Sequence, residues 1–128
     1  MSGRLLTADE QGVIGAILRG SGAADAAELA AQLQVARVVG DTVTFLRFDG
    51  HRSGNLAARH GDGELGTSAI TFGLDGEPIG FINVWVEGGY LDFVEYSWFT
   101  GEPPLSYPSP ERIRVVSGDY PGPMDADG

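Results

Sequence analysis

Length, composition and charge indicate a single folded domain and exclude several kinds of site. The chain has 128 residues, 42% of them hydrophobic, which is enough for one core and too many for a disordered chain. It has no cysteine, so disulfides, thiolate metal sites and a cysteine nucleophile are excluded. Eighteen acidic residues against eight arginines and no lysine give a formal charge of −10, which disfavours nucleic acid and anionic membranes as partners.

The first third of the chain predicts two helices. Thr7 and Glu10 have the spacing of a capping box, in which each residue satisfies the main-chain N–H of the other. An apolar stripe with helical spacing follows: Val13, Ile14, Ile17 and Leu18. Gly20 is typical of a helix end, and the alanine-rich residues 23–34 predict a second helix.

β-branched and aromatic residues dominate the chain after Val35 and predict strands. The predicted strands cover residues 42–48, 64–74, 78–86 and 90–99, with short apolar runs at 35–39 and 113–116. Asp75-Gly76 and Gly88-Gly89 are typical of tight hairpin turns, so neighbouring strands are expected to pair in sequential order. The predicted fold is α+β, with two N-terminal helices on a four- to five-stranded antiparallel meander. The domain is expected to span residues 1–116, followed by a disordered acidic tail at 117–128.

Alternation along the strands predicts which side chains share a face of the sheet. Ile82, Val84 and Val86 fall on one face, and Phe81 and Trp85 fall on the other. In the preceding strand three apolar residues are expected to point into the core: Ile70, Phe72 and Leu74. If the helices cover one face only, the second face presents aromatic side chains.

The later part of the predicted domain resembles a group of small uncharacterised bacterial α+β proteins. The likeness is carried by Asp75-Gly76-Glu77-Pro78-Ile79-Gly80, Gly88-Gly89-Tyr90-Leu91 with Glu95 and Tyr96, Gly101-Glu102-Pro103-Pro104, and residues 108–113. These proteins have a late Gly-Tyr-Leu strand with a glutamate and a proline-rich closing turn, and the resemblance implies a fold but no activity. In size, acidity and type the chain is also similar to immunity proteins of bacterial toxin systems.

The carboxylates near the second hairpin turn are the first candidate site. Asp92 and Glu95 lie three residues apart, so a regular strand sends them to opposite faces, and only a bulge would bring them together. A charged sheet edge that prevents edge-to-edge pairing is the alternative interpretation. Glu95 stands in an apolar run and, if buried, needs a partner such as Arg47, Arg112 or Arg114.

The histidines are weak candidates for a metal site. His51 and His60 share the polar segment 49–63 with several carboxylates, and these are ligand types that zinc accepts. Their spacing matches no compact zinc motif, and an exposed polar loop is the plainer interpretation. No cofactor is therefore expected.

Two functions of different class remain open. The first is a non-enzymatic module that binds a basic protein, in an immunity or antitoxin role for example, through Trp85, Glu87, Tyr90, Asp92, Glu95, Tyr96 and Trp98. The second is a small-ligand or enzymatic domain with an enclosed pocket between sheet and helices, lined by Glu95, Tyr96 and Arg47. The sequence has no serine-nucleophile elbow and no phosphate-binding loop, so no catalytic residue is assigned. A homodimer through the sheet is compatible with either function, and the lack of a leader pattern predicts a cytoplasmic location.

Overall fold

The computed structural model describes residues 3–21, 26–52 and 62–117 and confirms the α+β class. The α-helices are α1 (Ala8–Gly20) and α2 (Ala26–Leu33), and a short 3-10 helix covers Pro110–Arg112. The strands are β1 (Arg4–Leu5), β2 (Arg37–Thr42), β3 (Phe45–Asp49), β4 (Gly63–Phe72), β5 (Pro78–Glu87), β6 (Tyr90–Trp98) and β7 (Ile113–Ser117). The predicted four to five strands are too few, because the sheet has seven. Residues 118–128 of the predicted tail lie outside the described residues.

The strand order differs from the predicted sequential order. Across the sheet it is β1-β2-β3-β6-β5-β4-β7, and every pair is antiparallel. The β4-β5-β6 meander forms as its hairpin turns predict, with positive φ at Gly76, Gly88 and Gly89. The chain after β3 returns at the far side of this meander, so β6 lies between β5 and β3. β7 then closes the opposite edge against β4.

The capping box at the start of α1 is present as predicted. The Glu10 amide donates to the Thr7 hydroxyl at 3.1 Å, and the Thr7 amide donates to the Glu10 carboxylate at 2.9 Å. Arg4 of β1 donates two further bonds, at 2.9 and 2.8 Å, to the same carboxylate. Burial would raise the pKa of Glu10, but the hydrogen bonds from Arg4 and Thr7 outweigh burial and leave this pKa below its ordinary value. The contact fixes α1 to the edge of the sheet.

Replacing Glu10 with glutamine is expected to lower the free energy of unfolding at pH 7 by about 1–2 kcal/mol. Because the folded-state pKa of Glu10 is lowered, its stabilisation is complete above its ordinary pKa of about 4.3 and is lost as the pH falls further. Urea unfolding from pH 3 to 8 should therefore show a constant difference between wild type and Glu10→Gln above about pH 5, and a shrinking difference below. Glu102→Gln, at an exposed position, controls for the loss of one charge. A difference that stays constant down to pH 3 contradicts this assignment.

Both helices pack on the same side of the sheet and form the core with it. Val13, Ile14, Ile17 and Leu18 are completely buried, and so is Leu29 of α2. They meet Ile82, Val84 and Val86 of β5 and Leu91 and Val94 of β6 in one cluster. The aliphatic face predicted for β5 is therefore confirmed as its core face. No helix of the described ranges is long and apolar enough to cross a membrane.

The predicted inward face of β4 is wrong. Ile70 and Phe72 lie on the side of the sheet away from the helices, and Leu74 is in the following turn and 92% exposed. The register shifts between Glu64 and Ser68, around the positive-φ Gly66, but Leu65 and Thr67 on either side of this glycine are both buried, so the strand keeps one inward face throughout. Both faces of β4 carry apolar residues, and alternation alone does not show which face is inside. Small residues point inward instead: Thr67, Ala69 and Thr71. They let α1 lie close to the strand, where the Thr67 hydroxyl donates to the Ile17 carbonyl at 3.3 Å.

Candidate functional site

The side of the sheet away from the helices carries a row of aromatic rings, here named the aromatic face: Phe45, Phe72, Phe81, Trp85 and Phe93. Three of these rings stack across three neighbouring strands. The centroids of Phe45 and Phe93 are 4.8 Å apart, and those of Phe93 and Trp85 are 5.4 Å apart with an interplanar angle of 15°. All three side chains are half-buried. The predicted placement of Phe81 and Trp85 opposite the aliphatic face is confirmed.

A polar row runs beside this stack. The strand register places Glu95 of β6 next to Asn83 of β5, and Asn83 next to Ser68 of β4. The Asn83 Oδ1, Ser68 Oγ and Trp85 Nε1 atoms are buried and make no hydrogen bond with any residue that the structure describes. The aromatic face therefore combines π surfaces with polar groups whose hydrogen-bonding capacity is unused.

Two of the predicted site carboxylates are already paired with an arginine. Arg52, which follows β3, places its guanidinium 3.6 Å from Glu87 and 3.6 Å from Asp92. The same guanidinium lies over the ring of Tyr90, 5.3 Å from its centroid. Asp92 lies where the β5–β6 register shifts. A register shift is the irregularity that a strand would need to bring Asp92 and Glu95 together. Asp92 pairs with Arg52 at this position, and Glu95 stays apart.

Glu95 is exposed, and its carboxylate forms no ion pair with any described residue. None of the predicted partners reaches it. Arg47 lies over the Phe45 ring at 5.6 Å, Arg114 lies over the Phe72 ring at 5.6 Å, and Arg112 donates to the Phe72 carbonyl. Of the carboxylates predicted for the binding site, Glu87 and Asp92 pair with Arg52, and Glu95 alone has no ion pair with a described arginine.

A shallow groove, here named the Glu95 groove, lies at this edge of β6. It has a volume of about 320 Å³ and is lined by Thr44, Phe45, Glu95, Tyr96, Ser97 and Trp98. The groove exists because β3 begins at Phe45, so β6 has no neighbouring strand on that side beyond the bond from the Tyr96 amide to the Thr44 carbonyl. Trp98, at the end of β6, remains 40% exposed.

Tyr96 belongs to the core rather than to a binding surface. Its side chain is 1% exposed, and its hydroxyl donates to the Thr71 hydroxyl at 3.0 Å. Burial raises the pKa of Tyr96, although the hydrogen bond to Thr71 acts against this. Because Tyr96 points to the helix side and Arg47 and Glu95 to the other, the enclosed pocket predicted between these three side chains does not form.

His51 is a buried structural residue, which corrects its interpretation as part of an exposed loop. It is completely buried, and its Nε2 lies 2.6 Å from the Leu91 carbonyl oxygen. Since a carbonyl oxygen only accepts, Nε2 carries the hydrogen. Gly50 has a positive φ and ends the inward–outward alternation of the β3 side chains just before His51. The only sign of this turn in the sequence is the glycine itself. His60 lies outside the described residues, and within those residues no three His, Asp or Glu side chains cluster as a metal site.

Gln32 of α2 is a positioning residue that the sequence analysis missed. It is completely buried, its Nε2 donates to the Gly89 carbonyl, and its Oε1 accepts from the Leu91 amide, both at 2.8 Å. These bonds hold the β5–β6 turn, and with it Tyr90 and Asp92, against the helix. The sequence did carry one signal for this role, a glutamine on the apolar side of a short helix.

Comparison of the chain with protein-family models, with curated proteins and with solved structures gave no significant match.

Proposed function

We propose that this domain is a non-enzymatic binding module that takes a basic protein on its aromatic face. The observation that carries the proposal is the half-buried stack of Phe45, Phe93 and Trp85, bordered by the unpaired carboxylate of Glu95. Aromatic side chains with large partly exposed surfaces are the typical anchors of protein interfaces.

Charge supports a basic partner. The formal charge of −10 gives the whole domain a negative field that attracts and steers cations. The aromatic face itself carries both signs, because Arg47 and Arg114 lie on it with Glu95. The net charge therefore favours the encounter, and the aromatic stack with Glu95 supplies the local contact.

Affinity capture from a lysate of the source cell tests this proposal. The immobilised wild-type domain is expected to retain a basic protein at about 50 mM salt and to release it at about 500 mM, because salt screens the attraction. Phe93→Ala, which removes the middle ring of the stack, should lose this protein. Glu77→Gln, in the exposed β4–β5 turn, should retain it.

Two further measurements make the capture decisive. Thermal unfolding of Phe93→Ala must show a cooperative transition, so that a lost partner reports on the surface and not on the fold. Light scattering on the free protein gives its mass. Absence of a captured basic protein together with a monomeric mass contradicts the proposal, and a dimer that Phe93→Ala dissociates assigns the aromatic face to a second copy of this chain instead.

A further inference from the structure

A second pocket, here named the Arg112 pocket, lies between the end of the sheet and the proline-containing segment 99–109 that follows β6. Its volume is about 290 Å³. The Tyr96 side chain, which points to the helix side of the sheet, lines it and meets the Tyr107 ring there. The pocket is therefore separate from the aromatic face. Its lining includes Ile79, Tyr96, Pro104, Leu105, Pro108 and Arg112.

The walls of this pocket are mainly apolar and are fixed by the fold. The Tyr96 and Tyr107 rings meet edge to face with their centroids 5.5 Å apart, and both side chains are buried. Pro104 and Pro108 restrict the main chain of the segment between them. Leu105 lines the pocket and is 92% exposed, so its side chain is free to contact a ligand. A compact apolar group would thus find a surface that is already formed.

Arg112 is the one charged residue in the lining of the pocket. Its half-buried guanidinium donates one hydrogen bond, at 3.3 Å, to the Phe72 carbonyl oxygen. A guanidinium has five N–H donors, so others are left for a ligand. The chain has eighteen acidic residues, yet none of those that the structure describes forms an ion pair with Arg112. The pocket therefore joins an apolar wall to a positive charge without a carboxylate partner.

We propose that the Arg112 pocket binds a small monocarboxylic acid with a compact aromatic or branched aliphatic body. The planar fork of the guanidinium matches the two oxygens of a carboxylate, and the apolar body packs on Ile79 and Leu105. A single negative charge suits the single arginine. Each further negative charge, as on a phosphate monoester, would be repelled by the formal charge of −10. This site goes beyond the proposed function and does not depend on it.

Titration with phenylacetate tests the proposal. The ¹⁵N-labelled domain is titrated at constant ionic strength with phenylacetate, with neutral phenylacetamide and with acetate. Phenylacetate is expected to cause saturable shifts of the Ser106 and Tyr107 amide signals and of the Arg112 Nε–H signal. Phenylacetamide lacks the charge and acetate lacks the apolar body, so each should bind at least about threefold more weakly.

Two variants separate the charge from the apolar wall. Arg112→Gln should weaken phenylacetate binding about three- to tenfold. Arg114→Gln removes the same charge two residues later, at an exposed position over the Phe72 ring, and should leave binding unchanged. Leu105→Ser removes apolar surface at a position 92% exposed and should weaken the binding of phenylacetate but not that of acetate.

Equal affinity for phenylacetate and phenylacetamide, equal effects of Arg112→Gln and Arg114→Gln, or the absence of saturable shifts in the wild type overturns the proposal. Thermal unfolding shows whether Arg112→Gln keeps a cooperative transition. If it does not, Leu105→Ser decides, and unchanged phenylacetate binding in that variant rejects the site. Phe93→Ala should bind phenylacetate as the wild type does, so this site and the aromatic face fail or hold separately.

Discussion

Replacing Gln32 with methionine is expected to lower the free energy of unfolding by about 2–6 kcal/mol. Methionine keeps the length of the side chain but cannot bond to the main chain. The Gly89 carbonyl and the Leu91 amide, both bonded at 2.8 Å to a completely buried side chain, would then lose their partner inside the protein. A buried main-chain group without a partner destabilises by about 1–3 kcal/mol, and here there are two.

Gln34→Met is the matched control, because it makes the same chemical change two residues later at an exposed position. Its effect on the free energy of unfolding should stay within about 0.5 kcal/mol. Urea unfolding at pH 7 measures both variants. Equal stabilities for Gln32→Met and Gln34→Met contradict the role assigned to Gln32. Since Gln32 also positions the β5–β6 turn, we expect Gln32→Met to broaden the amide signals of Tyr90 and Asp92.

The second large effect is expected at Gly80, where alanine should destabilise the fold by at least about 2 kcal/mol. The added Cβ would collide with the Ser97 carbonyl oxygen and would lie 2.9 Å from the Tyr96 ring and 3.2 Å from the Trp98 Cα. Two of these atoms are main chain and cannot move without displacing β6. The glycine exists because the Tyr96 side chain crosses β5 at this point to reach Thr71 on β4.

Gly101→Ala is the control for this substitution, because its Cβ meets nothing within 4 Å. It should leave the unfolding midpoint unchanged or slightly raised, since alanine reduces the freedom of the unfolded chain. Thermal unfolding followed by circular dichroism compares the two variants. If Gly80→Ala unfolds at the same temperature as Gly101→Ala, the close approach of β6 to Gly80 is not as tight as described.

Local patterns were sufficient wherever a feature depends on residues close together in the sequence. The Thr7–Glu10 capping box, the turns at Gly76 and at Gly88-Gly89, and the two faces of β5 follow from short spacings and from main-chain geometry. These features fix the α+β class. They also place Trp85 on the face opposite the helices, which is the basis of the candidate site.

Tertiary structure decided the features that depend on which distant strands become neighbours. The placement of β3 beside β6 brings Phe45 to Phe93 and opens the groove at Glu95, and no local pattern encodes that pairing. The segment 61–111 is acidic and includes no basic residue. In the structure Arg52, from another segment, pairs with Glu87 and Asp92, whereas Glu95 has no ion-pair partner among the described residues. His51 is buried beyond a positive-φ glycine that ends the alternation of β3. In β4 both faces carry apolar residues, so only packing against the helices shows which face is inside.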